Sequence, residues 1–184
     1  MKKIFEILND PVGSFNKQDK VISLLFVSFT ALIVTAFDPL IMGTSFTIIN
    51  LLKIFLLSLI EYSLFCLLLF AVCWIFGNRQ KLSWFLTQWA FTLFPTMIFS
   101  VLIPLMFIIE SNYNHMSENF LWGLFVNIVF FGALIWKVIL YVLFLRKAAG
   151  LKGIRFYGAL LLIIVAALFL AEFMGGIGPK TPII

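Results

Sequence analysis

Five apolar runs divide the chain, Val21 to Phe37, Leu51 to Phe76, Trp84 to Ile109, Phe120 to Phe144 and Phe156 to Met174, and the charged residues gather mostly between them. A bilayer core about 30 Å thick takes about 20 apolar residues of helix per crossing. The first run is the shortest and can extend to Met42; the others reach that length. Hydrocarbon offers no partner for backbone N–H and C=O groups, so a spanning segment must satisfy them internally. None of the runs shows the short alternation of a membrane barrel. The pattern therefore predicts an all-α polytopic bundle of five transmembrane helices over residues 21–184, behind a cytoplasmic lead over residues 1–20. In that lead Ile4, Phe5 and Leu8 share one face of a short helix that could lie flat on the inner leaflet before Pro11 ends it.

The informative residues are the polar ones inside the runs. Glu61 stands well within the second run, where the surrounding Leu, Ile, Phe and Val residues outweigh the cost of about 3 kcal/mol for one central charge. An acid at that depth is expected to face the bundle interior or a wet cavity. Lys137 in the fourth run is the natural ion-pair partner, although it lies about 10 Å nearer the inner end, from where its long side chain can also snorkel inward. Asn127, Tyr62 and Ser58 are alternative hydrogen-bonding neighbours for Glu61. Lys53 and Glu172, both close to the outer ends of their runs, match each other better in depth, or else are simply solvated at the interface. Pro95 and Pro104 in the third run are expected to bend its axis and to free carbonyls near Phe91 and Ser100. Ala159, Ala166, Ala167 and Ala171 in the fifth read as close-packing positions between helices.

Composition strengthens the membrane reading: 63% of the residues are apolar and 11% charged, against about half and a quarter in a soluble domain. The net charge of +5 then bears on orientation rather than on nucleic acid, which is not expected as a partner. Lys2, Lys3, Lys17 and Lys20 precede the first run, Arg79 and Lys81 follow the second, and Arg146, Lys147, Lys152 and Arg155 follow the fourth. The opposite connections carry only Lys53 and Lys180, and ESNYNHMSEN has no basic residue except His115. By the positive-inside bias the amino terminus is cytoplasmic and the carboxyl terminus outside. Anionic lipid is expected at the basic loops. The start, MKKIFEILNDPV, is read as retained, because Glu6, Asn9, Asp10 and Pro11 interrupt the apolar stretch that a signal peptide needs.

Little in the sequence points to catalysis. Cys66 and Cys73 lie seven residues apart on one helix, about 10 Å, too far for a disulfide. With a single histidine there is no metal-ligand cluster. Paired histidines, G-x-S-x-G and a glycine-rich phosphate cradle are all missing, so neither a metal, a cofactor nor an enzymatic activity is expected. Trp84, Trp89, Trp122 and Trp136 read as interfacial anchors.

The order of these features, a lead with N-D-P-V-G-S-F (Asn9 to Phe15), a basic turn G-N-R-Q-K-L, a span with F-T-L-F-P-T and a last loop R-K-A-A-G-L-K-G-I-R running into the fifth span, resembles the Yip family of five-span membrane proteins. The resemblance covers nearly the whole chain and is closest to bacterial-type members. It implies a non-enzymatic protein of the inner (plasma) membrane, acting through helix contacts and cytoplasmic loops, with a membrane-protein partner, such as a transporter, or a second copy of itself, or in organising lipid. Eukaryotic members carry Asp-Leu-Tyr-Gly-Pro before the first span. Here only Asp10 to Gly13, D-P-V-G, stands in that region, so the Rab contact of those relatives is not carried over. The competing expectation, drawn from the residues themselves, is a small transporter or substrate-binding membrane subunit built around Glu61 and Lys137.

Overall fold

The computed structural model describes residues 20–42, 46–112 and 120–177. The face formed by Ile4, Phe5 and Leu8, the His115 connection and Lys180 lie outside them. All regular elements among the described residues are helical: α1 (Lys20–Met42), α2 (Ile48–Ile75), α3 (Leu82–Gln88), a 3-10 turn (Ala90–Leu93), α4 (Phe94–Asn112), α5 (Phe120–Leu143) ending in a π-turn (Phe144–Ala148), and α6 (Gly153–Ile177).

Among the described residues, four segments are long and apolar enough to cross a membrane: Lys20–Pro39, Ile48–Ile75, Leu121–Ala148 and Gly153–Met174. The third predicted span is not one helix. Pro95 disfavours helical backbone at the residue before it and has no N–H to continue a ladder. The chain accordingly closes α3, passes through the 3-10 turn and restarts with Pro95 in the first turn of α4, where a missing N–H costs nothing. Pro95 is thus a helix start rather than a bend, and only Pro104 lies in the interior of α4. The uninterrupted apolar part of α4, Phe94–Met106, is shorter than a span.

α1 continues past Phe37 through Pro39 to Met42, the longer of the two ends expected for the first run. It buries a stripe, Ser23, Val27, Thr30, Ala31, Val34 and Asp38, with the three-and-four spacing of one helix face, and packs against α2 and α4. α2 packs against α6, whose Ala159, Ile163 and Ala167 are buried, so two of the four predicted small-residue positions lie fully inside the contact. Large side chains such as Leu121, Phe131, Leu161 and Phe169 on α5 and α6 face outward. Apolar faces of that extent would aggregate in water and fit a lipid surround.

Glycine is required where α2 and α5 stop. Gly77 has φ +97° and Gly150 φ +67°, a region costly to residues with a Cβ. Past Gly77, Asn78 N–H donates to Cys73 O at 2.9 Å, and past Gly150, Leu151 N–H donates to Leu145 O at 2.9 Å. The first is the six-to-one closure of a Schellman cap; the second spans one residue more, as fits a helix that ends in a π-turn. Asn78 Nδ2 then donates to Ala149 O at 2.7 Å, joining the two helix ends. The basic loops after α2 and α5 therefore share one end of the bundle.

Candidate functional site

Glu61 sits at the midpoint of α2, about 20 Å from either end at 1.5 Å per residue, and is fully buried. The stripe that buries it runs Ser58, Glu61, Tyr62, Phe65, Cys66 and Leu69, one face of a helix that is otherwise apolar all round. Cys66 and Cys73 are buried free thiols.

Facing that stripe, α5 brings Lys137 and, one turn later, Tyr141. Both lie close enough to Glu61 to interact with it electrostatically. Lys137 is half-buried, and its electrostatic contact with Glu61 spans the depth difference expected from sequence. Other expected neighbours point elsewhere. Asn127 is exposed and donates to Gly123 O of its own helix at 2.8 Å. The Tyr62 hydroxyl donates to Leu86 O at 2.6 Å, pinning α3 against α2. Lys53 and Glu172 are exposed, and no ion pair joins them among the described residues.

An aromatic wall closes the site towards the basic end. Trp89 stacks on Tyr141, centroids 5.3 Å apart and planes 11° from parallel, and meets Phe144 edge-on at 5.0 Å. Phe65 lies 5.4 Å from Trp89 and 5.9 Å from Tyr141. Trp89 is consequently a core residue, not the interfacial anchor its type leads one to expect; the helix break before Pro95 is what carries it inward. Trp84 likewise packs on Phe85 and Phe144.

Polar side chains are unusually frequent in this interior. Thr92, Thr96 and Ser100, four residues apart, are buried, as are Thr30, Thr35 and Asp38 of α1. Several hydroxyls bond back to their own helix: Thr30 to Phe26 O, Thr35 to Ala31 O, Thr92 to Trp89 O and Ser100 to Thr96 O, at 2.6–2.9 Å. Such groups need no ligand and let helices approach closely. Ser58 Oγ, Gln88 Oε1 and Trp89 Nε1 differ: each is buried and has no hydrogen-bond partner among the described residues. Buried polar atoms are nearly always paired. These three atoms lie on the Glu61 stripe and on the segment around Trp89.

Two buried polar side chains are not among those the sequence singles out. Asp38, in the stretch by which the first run can extend to Met42, is a buried acid near the end of α1 opposite the basic face. Gln88 carried no signal because the segment around it read as one uniform span. Arg146, Lys147, Lys152 and Arg155 are all exposed at the basic end, as their loop position predicts.

Chemically, an acid and an amine within electrostatic reach of each other can exist as carboxylate and ammonium or, with the proton on oxygen instead of nitrogen, as neutral acid and amine. The site can therefore change its charge distribution without changing its net charge. No family model, curated protein or solved structure matches the chain, so the likeness to the Yip family rests on the motifs quoted above.

Proposed function

We propose that this chain is an integral membrane protein with a proton-active site at its centre, in which Glu61 and Lys137 carry a proton, or a small solute exchanged against it, across the bilayer. The observation that carries the reading is a fully buried acid at the middle of a membrane-spanning helix, within electrostatic reach of an amine on another. Ionisable groups at such depth are costly to keep and mark ion and proton paths in membrane proteins. The orphaned Ser58, Gln88 and Trp89 atoms supply polar lining beside the pair. Trp89 and Tyr141 form a wall that limits passage towards the basic end.

In this reading the basic end is cytoplasmic. α3 and α4 together make a fifth, broken crossing, which puts the two termini on opposite sides of an inner (plasma) membrane. Discontinuous helices recur where transport sites are lined.

Proteoliposomes loaded with a pH-sensitive dye and held under a potassium-diffusion potential test the proposal. Wild-type protein is expected to carry proton flux above that of empty vesicles, and Glu61→Gln to return it to that background. Flux at background for the wild type, or a Glu61→Gln trace equal to wild type, overturns it. A Yip-type role through partner contacts draws its support from the exposed basic face. It predicts instead that Glu61→Gln leaves partner capture intact while Lys147→Gln and Lys152→Gln weaken it.

A further inference from the structure

The joined ends of α2 and α5 enclose a cavity that the intramembrane site does not use. It has a volume of about 330 Å³ and is lined by Phe76, Gly77, Asn78, the 149–151 turn, Lys152 and Arg155. That volume falls within the range of about 300–1,000 Å³ in which small-molecule sites occur. Its two charged lining residues are both cations.

Neither cation has an ion-pair or aromatic partner among the described residues. Arg79 lies over the Trp74 ring at 4.9 Å and Arg146 over the Phe156 ring at 4.4 Å, so the neighbouring guanidinium groups have aromatic partners. Lys152 and Arg155 form no ion pair among the described residues. Arg155 is drawn over the cavity floor: a Cβ on Gly77 would stand 3.4 Å from its Nη1. Asn78 holds the two loops in register through its bond to Ala149 O, which keeps the walls together. α6 starts at the rim, directing the positive end of a 25-residue helix to the same side.

From this convergence we propose that the cavity binds a phosphate group. A planar guanidinium with an ammonium beside it suits phosphate oxygens, and Arg favours two-point contact with them. The loops lie at the end of the membrane-spanning helices, so the phosphate can be that of an anionic lipid headgroup or of a free anion, and the same chemistry serves both.

The test uses the full chain purified in a neutral detergent, with native mass spectrometry counting bound phosphatidic acid during titration. Lys152→Gln with Arg155→Gln is expected to weaken binding about 30-fold, the loss from removing two cations at about fivefold each. Arg79→Gln with Lys81→Gln removes equal charge from the same face outside the cavity and is expected to change binding less than about threefold. Lys152→Arg with Arg155→Lys keeps the charge, and retained binding shows that the fold tolerates change at these positions. Competition by millimolar inorganic phosphate assigns the site to a free anion; competition by phosphatidic acid but not by inorganic phosphate assigns it to a headgroup. Equal losses in the two double-glutamine variants would mean a diffuse basic surface and overturn the proposal.

Discussion

The indole of Trp89 lies flat on the phenol ring of Tyr141, 5.3 Å between centroids, and that single stack ties the broken third segment to α5 beside Glu61. Trp89 stands one residue past α3, held by its N–H to Phe85 O at 3.0 Å. Its position depends on the chain leaving the helix there, and its ring also meets Phe65 and Phe144.

Trp89→Ala should therefore cost about 3–5 kcal/mol, as for a buried aromatic truncated in a core, with the lower end reached if Phe65 moves into the space. Trp89→Phe keeps a ring and leaves no orphaned indole N–H, so it should cost less than half as much. Thermal unfolding in detergent, followed by helical circular dichroism, measures both. Equal losses for the two substitutions would show that the stack does not position the segment.

Tyr62→Phe removes the 2.6 Å bond to Leu86 O and leaves that carbonyl without the hydroxyl. A buried bond lost from one side costs about 1–3 kcal/mol. The loss should be local: backbone amides of residues 82–89 should exchange faster with deuterium, while those of α6 stay unchanged.

Gly158 in α6 approaches α2 so closely that a Cβ would stand 2.9 Å from Phe76 Cζ. Gly158→Val should push the Phe76 ring aside at about 1–3 kcal/mol, the usual cost of overpacking. Phe76 also lines the phosphate cavity, so the same variant should weaken phosphatidic acid binding although it removes no charge. Gly123→Val, with open space around its Cβ, should alter neither.

How much of this was readable beforehand can be judged residue by residue. Glu61 and Lys137 stood out because charge within twenty apolar residues is rare, and hydropathy records composition faithfully. The basic loops and the Ala159 and Ala167 contacts followed from the same local rules. The break at Trp89 did not, since Pro95 alone is compatible with a kink, a helix start or a tolerated interior proline. Which of these holds is decided by packing against Phe65, Tyr141 and Phe144, in a cluster whose ring contacts join residues up to 76 positions apart. The burial of Asp38 had the same origin, because the end of a span is set by the neighbours that cover it as much as by the apolar run. That Lys137 lies within electrostatic reach of Glu61 likewise depended on which helix stands opposite, information that one-dimensional depth does not contain.

The central claim is that Glu61 and Lys137 act on each other inside the bundle. Removing either partner leaves the other charge buried and should destabilise the fold by about 3–5 kcal/mol, whereas Glu61→Gln with Lys137→Met leaves no charge behind and should cost much less than the sum. A double-mutant cycle on reversible unfolding in detergent micelles reads that difference directly. The account predicts a coupling of about 1–3 kcal/mol; single losses that simply add, with no coupling, would contradict it.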